Sequence, residues 1–150
     1  MGYRMTTGFF YDERCFWHTG TGYAFAIPVG DLVQPLAAGG LPEDPETKRR
    51  IKNLLNVTGL AKELNIGSAP NATREDLERV HTSKYLDDFK SLSDLNGGEV
   101  VPFSTTPFTQ GGYELASLSS GLVIQALTSV LSKQNKNAYA LSRPPGHHCL

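Results

Sequence analysis

The feature that most constrains this chain is its end, where the apolar run Ala138-Tyr139-Ala140-Leu141 meets Ser142-Arg143-Pro144-Pro145-Gly146-His147-His148, followed by Cys149 and Leu150. The run reads as a buried strand, and the prolines end it. Each proline fixes φ at about −65° and removes a backbone donor, so the ladder cannot continue. Gly146 accepts backbone angles closed to other residues and lets a ligand approach the main chain. On a regular strand His147 and His148 would point to opposite faces; behind such a turn they can converge on one cavity. Imidazole has the side-chain pKa nearest neutrality, so two together can serve both a nucleophile and a leaving group. A bare His-His pair also occurs as a solvated pair or as two metal ligands on a loop. The strand, the Pro-Pro-Gly turn and the preceding arginine favour a catalytic loop.

The chain has 150 residues, 39% of them apolar and 19% charged, with a formal net charge of −1. That describes one globular domain and gives no electrostatic footprint for nucleic acid. Lys48-Arg49-Arg50 reads as the solvated face of a helix. No uninterrupted apolar run approaches the roughly 18 residues of a membrane span, so no membrane partner is expected. The N-terminus lacks the apolar core of a signal peptide. Met1 to Thr6 fit the short myristoylation pattern, which is read as chance. Cys15 and Cys149 make no disulfide framework and suit a reducing, cytoplasmic compartment as inert buried thiols.

Along the chain, Thr7–Tyr11 reads as a short buried strand. The stretch Trp17–Tyr23 mixes glycine with aromatic and polar groups, as an ordered binding loop does, and the chain to Gly40 reads as irregular. Asp44-Pro45-Glu46 is a helix start, with a capping carboxylate, proline in the first turn and an acid after it. Ile51, Leu54 and Leu55 give that helix its apolar stripe, and Gly59 stops it. Leu64-Asn65-Ile66 is a strand candidate. Thr73 opens a short helix, and a further one starts at Ser83 with Tyr85, Phe89 and Leu92 on one side. His81 satisfies the junction between them, and residues 99–111 form a loop. The longest element runs from Tyr113 to Leu131. Leu115, Leu118, Leu122, Ala126 and Val130 line it, widened by Val123 and Leu127, while Ala116, Ser119, Ser120 and Gly121 suit close packing onto a sheet. Helix, short strand, then a loop at the strand's carboxyl end is the grammar of an α/β fold with a parallel sheet. Ligand sites in such sheets lie outside the carboxyl ends of the strands, where His147 and His148 fall.

Five segments carry a resemblance: Trp17-His18-Thr19-Gly20-Thr21-Gly22, Pro45 to Arg50, Val80-His81, Gly112 to Ala116 with Leu118 to Gly121, and Tyr139 to Cys149. In that order they resemble the N-terminal part of a histone-deacetylase-family amidohydrolase, most like bacterial members related to class II deacetylases and acetylpolyamine amidohydrolases. The resemblance implies an arginase/deacetylase-type parallel-sheet α/β fold, of which residues 1–150 would be the N-terminal part of a single catalytic domain. It implies zinc-dependent hydrolysis of acetyl-lysine or a similar N-acylated amine. His148 would be the general base and acid, and His147 would assist electrostatically or share the proton.

Trp17 and His18 would line the entrance, against the alternative of a packed tryptophan and a hydrogen-bonded surface histidine. Pro145 and Gly146 would border the substrate, and Glu99 stands nearest to the acid some relatives carry at the rim. The family's Asp-x-His pair and later Asp have no counterpart in this chain, so no metal ligand is assigned. Zn2+ would be bound beyond residue 150, and the 150 residues alone are expected to be inactive. The resemblance leaves room for a structural monovalent cation and a homo-oligomer in the complete protein. The expected partner is an acetylated lysine side chain or an acetylated polyamine. The alternatives are an acetylpolyamine amidohydrolase and a non-catalytic interaction domain of the same fold; arginase-like ureohydrolases share the architecture but not the tandem histidine.

Overall fold

In the computed structural model, residues 6–18, 23–24, 27–28, 44–102 and 106–148 are described. The expected loop residues Thr19 to Gly22, most of the stretch to Gly40, Cys149 and the first five residues lie outside them. Five strands and four helices are present among the described residues: β1 (Thr7–Tyr11), β2 (Tyr23–Ala24), β3 (Ile27–Pro28), α1 (Pro45–Val57), β4 (Leu64–Gly67), α2 (Arg74–Glu78), α3 (Ser83–Leu95), α4 (Gly112–Leu131) and β5 (Asn137–Leu141). Two 3-10 turns, Glu13–Phe16 and Leu60–Glu63, follow β1 and precede β4.

The sheet has the order β4-β1-β5, and both pairings are parallel. The α/β parallel-sheet expectation is therefore met, with β1 in the middle. The short β2 and β3 pair antiparallel, within a stretch expected to be irregular. Phe9 is in register with Ile66 on one side and Tyr139 on the other. Side chains in register share a face, and the Phe9 and Tyr139 rings stack at 5.9 Å. Asn135 closes the amino end of the sheet: its Oδ1 accepts from Thr6 Oγ1 and Asn65 Nδ2.

Local signals explain the helix starts. Asp44 accepts from Glu46 N, with Pro45 in the first turn of α1. Thr73 and Asp76 cap α2 reciprocally, and Thr82 caps α3. The core joins Phe9, Phe10, Cys15, Phe16, Leu118, Leu122, Ala126 and Leu141.

Burial departs from the periodicity at several points. In α1, Ile51 and Leu54 are exposed, and of the expected stripe only Leu55 packs against the core. In α4, Val123 and Leu127 are exposed, while Ser117, Ser119, Gly121 and Ser129 are buried. Those serines can enter the core because each has a carbonyl to donate to: Tyr113 O for Ser117, Pro144 O for Ser119 and Ala126 O for Ser129. β5 is not the fully buried strand expected. Only Leu141 is buried, and Tyr139 is 54% exposed, because among the described residues β5 pairs with β1 alone. By length and composition α4 could cross a membrane, yet it packs against β1 and β5 as a core helix.

Asp12, just after β1, caps the first 3-10 turn. Its carboxylate takes two hydrogen bonds from the Arg14 guanidinium at 2.9 Å, one from Arg14 N and one from Ser68 Oγ at 2.7 Å. The Arg14 side chain, then Ser68 and the Arg14 amide, hold the Asp12 carboxyl well below the usual carboxylate range against the opposing pull of burial. A lowered native pKa adds stability that is fully present above the unfolded value of 3.8 and is lost as pH falls from there through the lower native value. Arg14 is largely exposed, which limits the contribution. Asp12→Asn, which keeps the cap but not the charge, should cost about 1 kcal/mol at neutral pH. Denaturant midpoints measured across pH should show the gap closing below about pH 4; a gap independent of pH would mean the charge is not its source.

Candidate functional site

The site forms where the carboxyl ends of β1 and β5 deliver their loops side by side. β5 ends at Leu141, and the chain passes through a cis Arg143–Pro144 bond to Gly146, which has φ +82°. A Cβ at Gly146 would meet nothing within 4 Å, so its requirement is the left-handed backbone and not space. His147 and His148 follow in a turn, both exposed, with ring centroids 4.2 Å apart and planes tilted by 49°. The two rings thus lie side by side behind the Pro-Pro-Gly turn. Pro145 and Gly146 are exposed beside them.

Two fastenings hold this loop. Ser119 of α4 donates to Pro144 O at 2.8 Å. Arg143, only 5% exposed, sends its guanidinium into the turn after β1, where it donates to the carbonyls of Cys15, at 3.2 Å, and His18. From the other side Arg49 donates to Phe16 O at 3.0 Å, pairs with Glu13 and Glu46, and lies under the Trp17 ring, 5.7 Å from its centroid. Arg49 is thus no part of a solvated basic face. Its guanidinium joins α1 to the 15–18 turn.

Trp17 and His18 take the reverse of the alternative weighed for them. Trp17 is 79% exposed, and His18 is buried. The His18 Nδ1 and Thr109 Oγ1 lie 3.0 Å apart in a hydrogen bond whose direction follows the histidine tautomer. Burial, and then the Arg143 charge, push the His18 pKa down from 6.5. Glu99 serves its own loop: its Oε1 accepts from Thr106 N. His81 stacks on Tyr85 at the junction of α2 and α3, as expected. Cys15 is fully buried, and burial pushes its thiol pKa up, which suits the inert role expected of it.

Arg143, Ser119, Thr109 and Arg49 had no expected part in fastening the loop: the arginine stood out only as preceding Pro-Pro-Gly, Ser119 only as a small residue for close packing, and Arg49 only within a solvated basic cluster. Nothing in local sequence reports that the partners of Arg143 lie about 130 residues upstream. Among the described residues no three or more His, Cys, Asp or Glu side chains gather to hold a metal ion. The described side chains therefore do not make up a zinc centre. Two adjacent imidazoles, 4.2 Å apart, can exchange protons with a bound water or amine.

His18 gives this region a pH response. A histidine kept neutral by the fold contributes fully above its unfolded pKa of 6.5, and that contribution falls as acid protonates the unfolded chain. The melting temperature should fall on acidification through that range, and His18→Gln should flatten the slope. An unchanged slope in the variant would place the acid sensitivity elsewhere.

The Histone deacetylase domain family matches residues 41–150. The histone deacetylase-like amidohydrolase of Pseudomonas aeruginosa is 54% identical over 144 residues, covering 96% of this chain and 37% of that protein. The polyamine deacetylase HDAC10 of Danio rerio is 32% identical over 71% of this chain and 16% of its own length. Among solved structures, the HDA15 HD domain superposes with a TM-score of 0.76 at 28% identity, covering 96% of this chain and 36% of the other. The chain spans about a third of the length of the first of these relatives and of the solved domain. A parallel sheet with loops meeting at its carboxyl edge, a tandem histidine behind Pro-Pro-Gly and these matches together place the chain in the histone deacetylase domain family.

Proposed function

We propose that this chain supplies the proton-transfer part of a zinc-dependent amidohydrolase that removes acetyl groups from acetyl-lysine or similar N-acylated amines. The observation that carries the reading is the His147–His148 pair, with rings 4.2 Å apart, on a loop fastened to α4 and to the turn after β1. Amide hydrolysis needs a base to take a proton from water as its oxygen bonds to the acyl carbon. It then needs an acid to protonate the nitrogen as the C–N bond breaks. His148 takes the first proton and returns it to the leaving amine, and His147 shares or stabilises the charge. Zinc, in this reading, is held by residues outside the described ones, and the proton steps are assigned to the histidines alone. The 150 residues by themselves are read as inactive, because no histidine in the sequence has an aspartate two residues before it to form the Asp-x-His pair.

The test is turnover by the full-length protein of an acetyl-lysine peptide and of an acetylated polyamine, before and after removal of metal. Amine release that stops on chelation and returns with zinc is the expected result. No hydrolysis of either substrate by the zinc-loaded protein would overturn the reading. A strong preference for the polyamine would favour the second substrate class, the one named in the Danio rerio relative.

A further inference from the structure

We infer that Arg143 is a positioning residue of this site, acting through a clamp on main-chain carbonyls rather than on substrate. Arg143 is 5% exposed, although an arginine loses much solvation on burial. In return it gathers two carbonyls of a single turn, those of Cys15 and His18. Both bonds leave one nitrogen, Nη1, whose two N–H groups are fixed in the guanidinium plane and so set both acceptors relative to one another; an ammonium rotates about its stem and has no such fixed geometry. Arg143 begins the loop that ends in His147 and His148, so whatever it grips becomes the reference frame for those rings.

The grip reaches further than one turn. Through His18 it continues to Thr109, which lies just before α4. Ser119 of α4 returns to the same loop at Pro144 O. The histidine loop, the 15–18 turn and the start of α4 are thereby tied in one circuit at the carboxyl ends of β1 and β5. Arg143 is the charged member of that circuit. A proton-transfer group must sit within tenths of an ångström of its target, so loosening the circuit costs rate more than binding.

The inference deepens the proposed hydrolysis and rests on it for the kinetic readout. In the full-length zinc-loaded protein, Arg143→Lys should lower kcat about 10-fold and Arg143→Gln about 100-fold, with KM changed less than about threefold. Melting curves taken alongside establish that each variant is folded. Ser119→Ala, which frees the loop from the α4 side without removing a charge, should give a smaller loss of kcat, again with KM held.

A second readout needs no activity. The nuclear Overhauser contact between the His147 and His148 rings should be present in the wild type and lost in Arg143→Lys. If the wild type hydrolyses no acetyl amide, the functional reading fails, and this ring contact still decides the role of Arg143. A folded Arg143→Lys with wild-type kcat, or with the ring contact intact, overturns the inference. So does a loss of kcat fully regained by cooling to where the variant is folded. If neither Arg143 variant folds, Ser119→Ala decides: lowered kcat at constant KM supports the circuit, and wild-type kcat refutes it.

Discussion

Replacing His148 by alanine in the full-length, zinc-loaded protein is expected to lower kcat by at least about 10²-fold, the usual scale for a general acid–base group. KM should change little, because the ring is exposed on a loop and its loss leaves the fastenings at Pro144 and Arg143 in place. His147→Ala should also slow turnover, by a factor set by how the pair shares its proton. Steady-state kinetics on an acetyl-lysine peptide, with metal content checked in each variant, makes the measurement. A kcat near the wild-type value in metal-loaded His148→Ala would move the base elsewhere.

Gly121→Ala should destabilise the fold by about 2–4 kcal/mol, although alanine is worth roughly 1 kcal/mol more than glycine inside an open helix. Gly121 sits within α4, where a Cβ would lie 2.0 Å from Pro70 O and 3.0 Å from Ala72 N. Those are main-chain atoms and cannot rotate away. α4 or the 70–72 segment would have to move, with loss of the hydrogen bond from Ala72 N to Ser117 O. Chemical denaturation of the variant beside the wild type measures the change. A stability equal to or above the wild type would show that the segment yields freely, and that propensity decides the outcome.

The two predictions differ in how far the sequence alone supports them. The His-His loop was legible because its constraints are local. Two prolines ended the strand, a glycine supplied the left-handed turn, and two adjacent rings followed, with centroids 4.2 Å apart. The helix starts were legible for the same reason: Asp44, Thr73 and Thr82 each cap through a bond to an amide two or three residues on. The small residues of α4 announced a close approach, but not its partner. The sheet was expected, whereas Gly121 meets the 70–72 segment and Ser119 meets the histidine loop.

Periodicity failed where burial depends on what covers a face. Val123 and Leu127 continue the apolar pattern of α4 and are exposed, while Ser117 and Ser129 enter the core because helix carbonyls accept their hydroxyls. Trp17 and His18 show the same limit. A tryptophan carries the larger apolar surface, yet Arg49 holds it at the surface while His18 is drawn inward beside Thr109.

By itself, then, the sequence determined the four helices and their starts, the three strands of the parallel sheet, the α/β alternation and the turn that brings two imidazoles together, because each depends on residues a few positions apart. Only the tertiary structure decided which strand is central, which helix face is covered and how the histidine loop is held. Those depend on meetings such as Arg143 with the carbonyls of Cys15 and His18, whose partners are separated by most of the chain and joined by a parallel sheet.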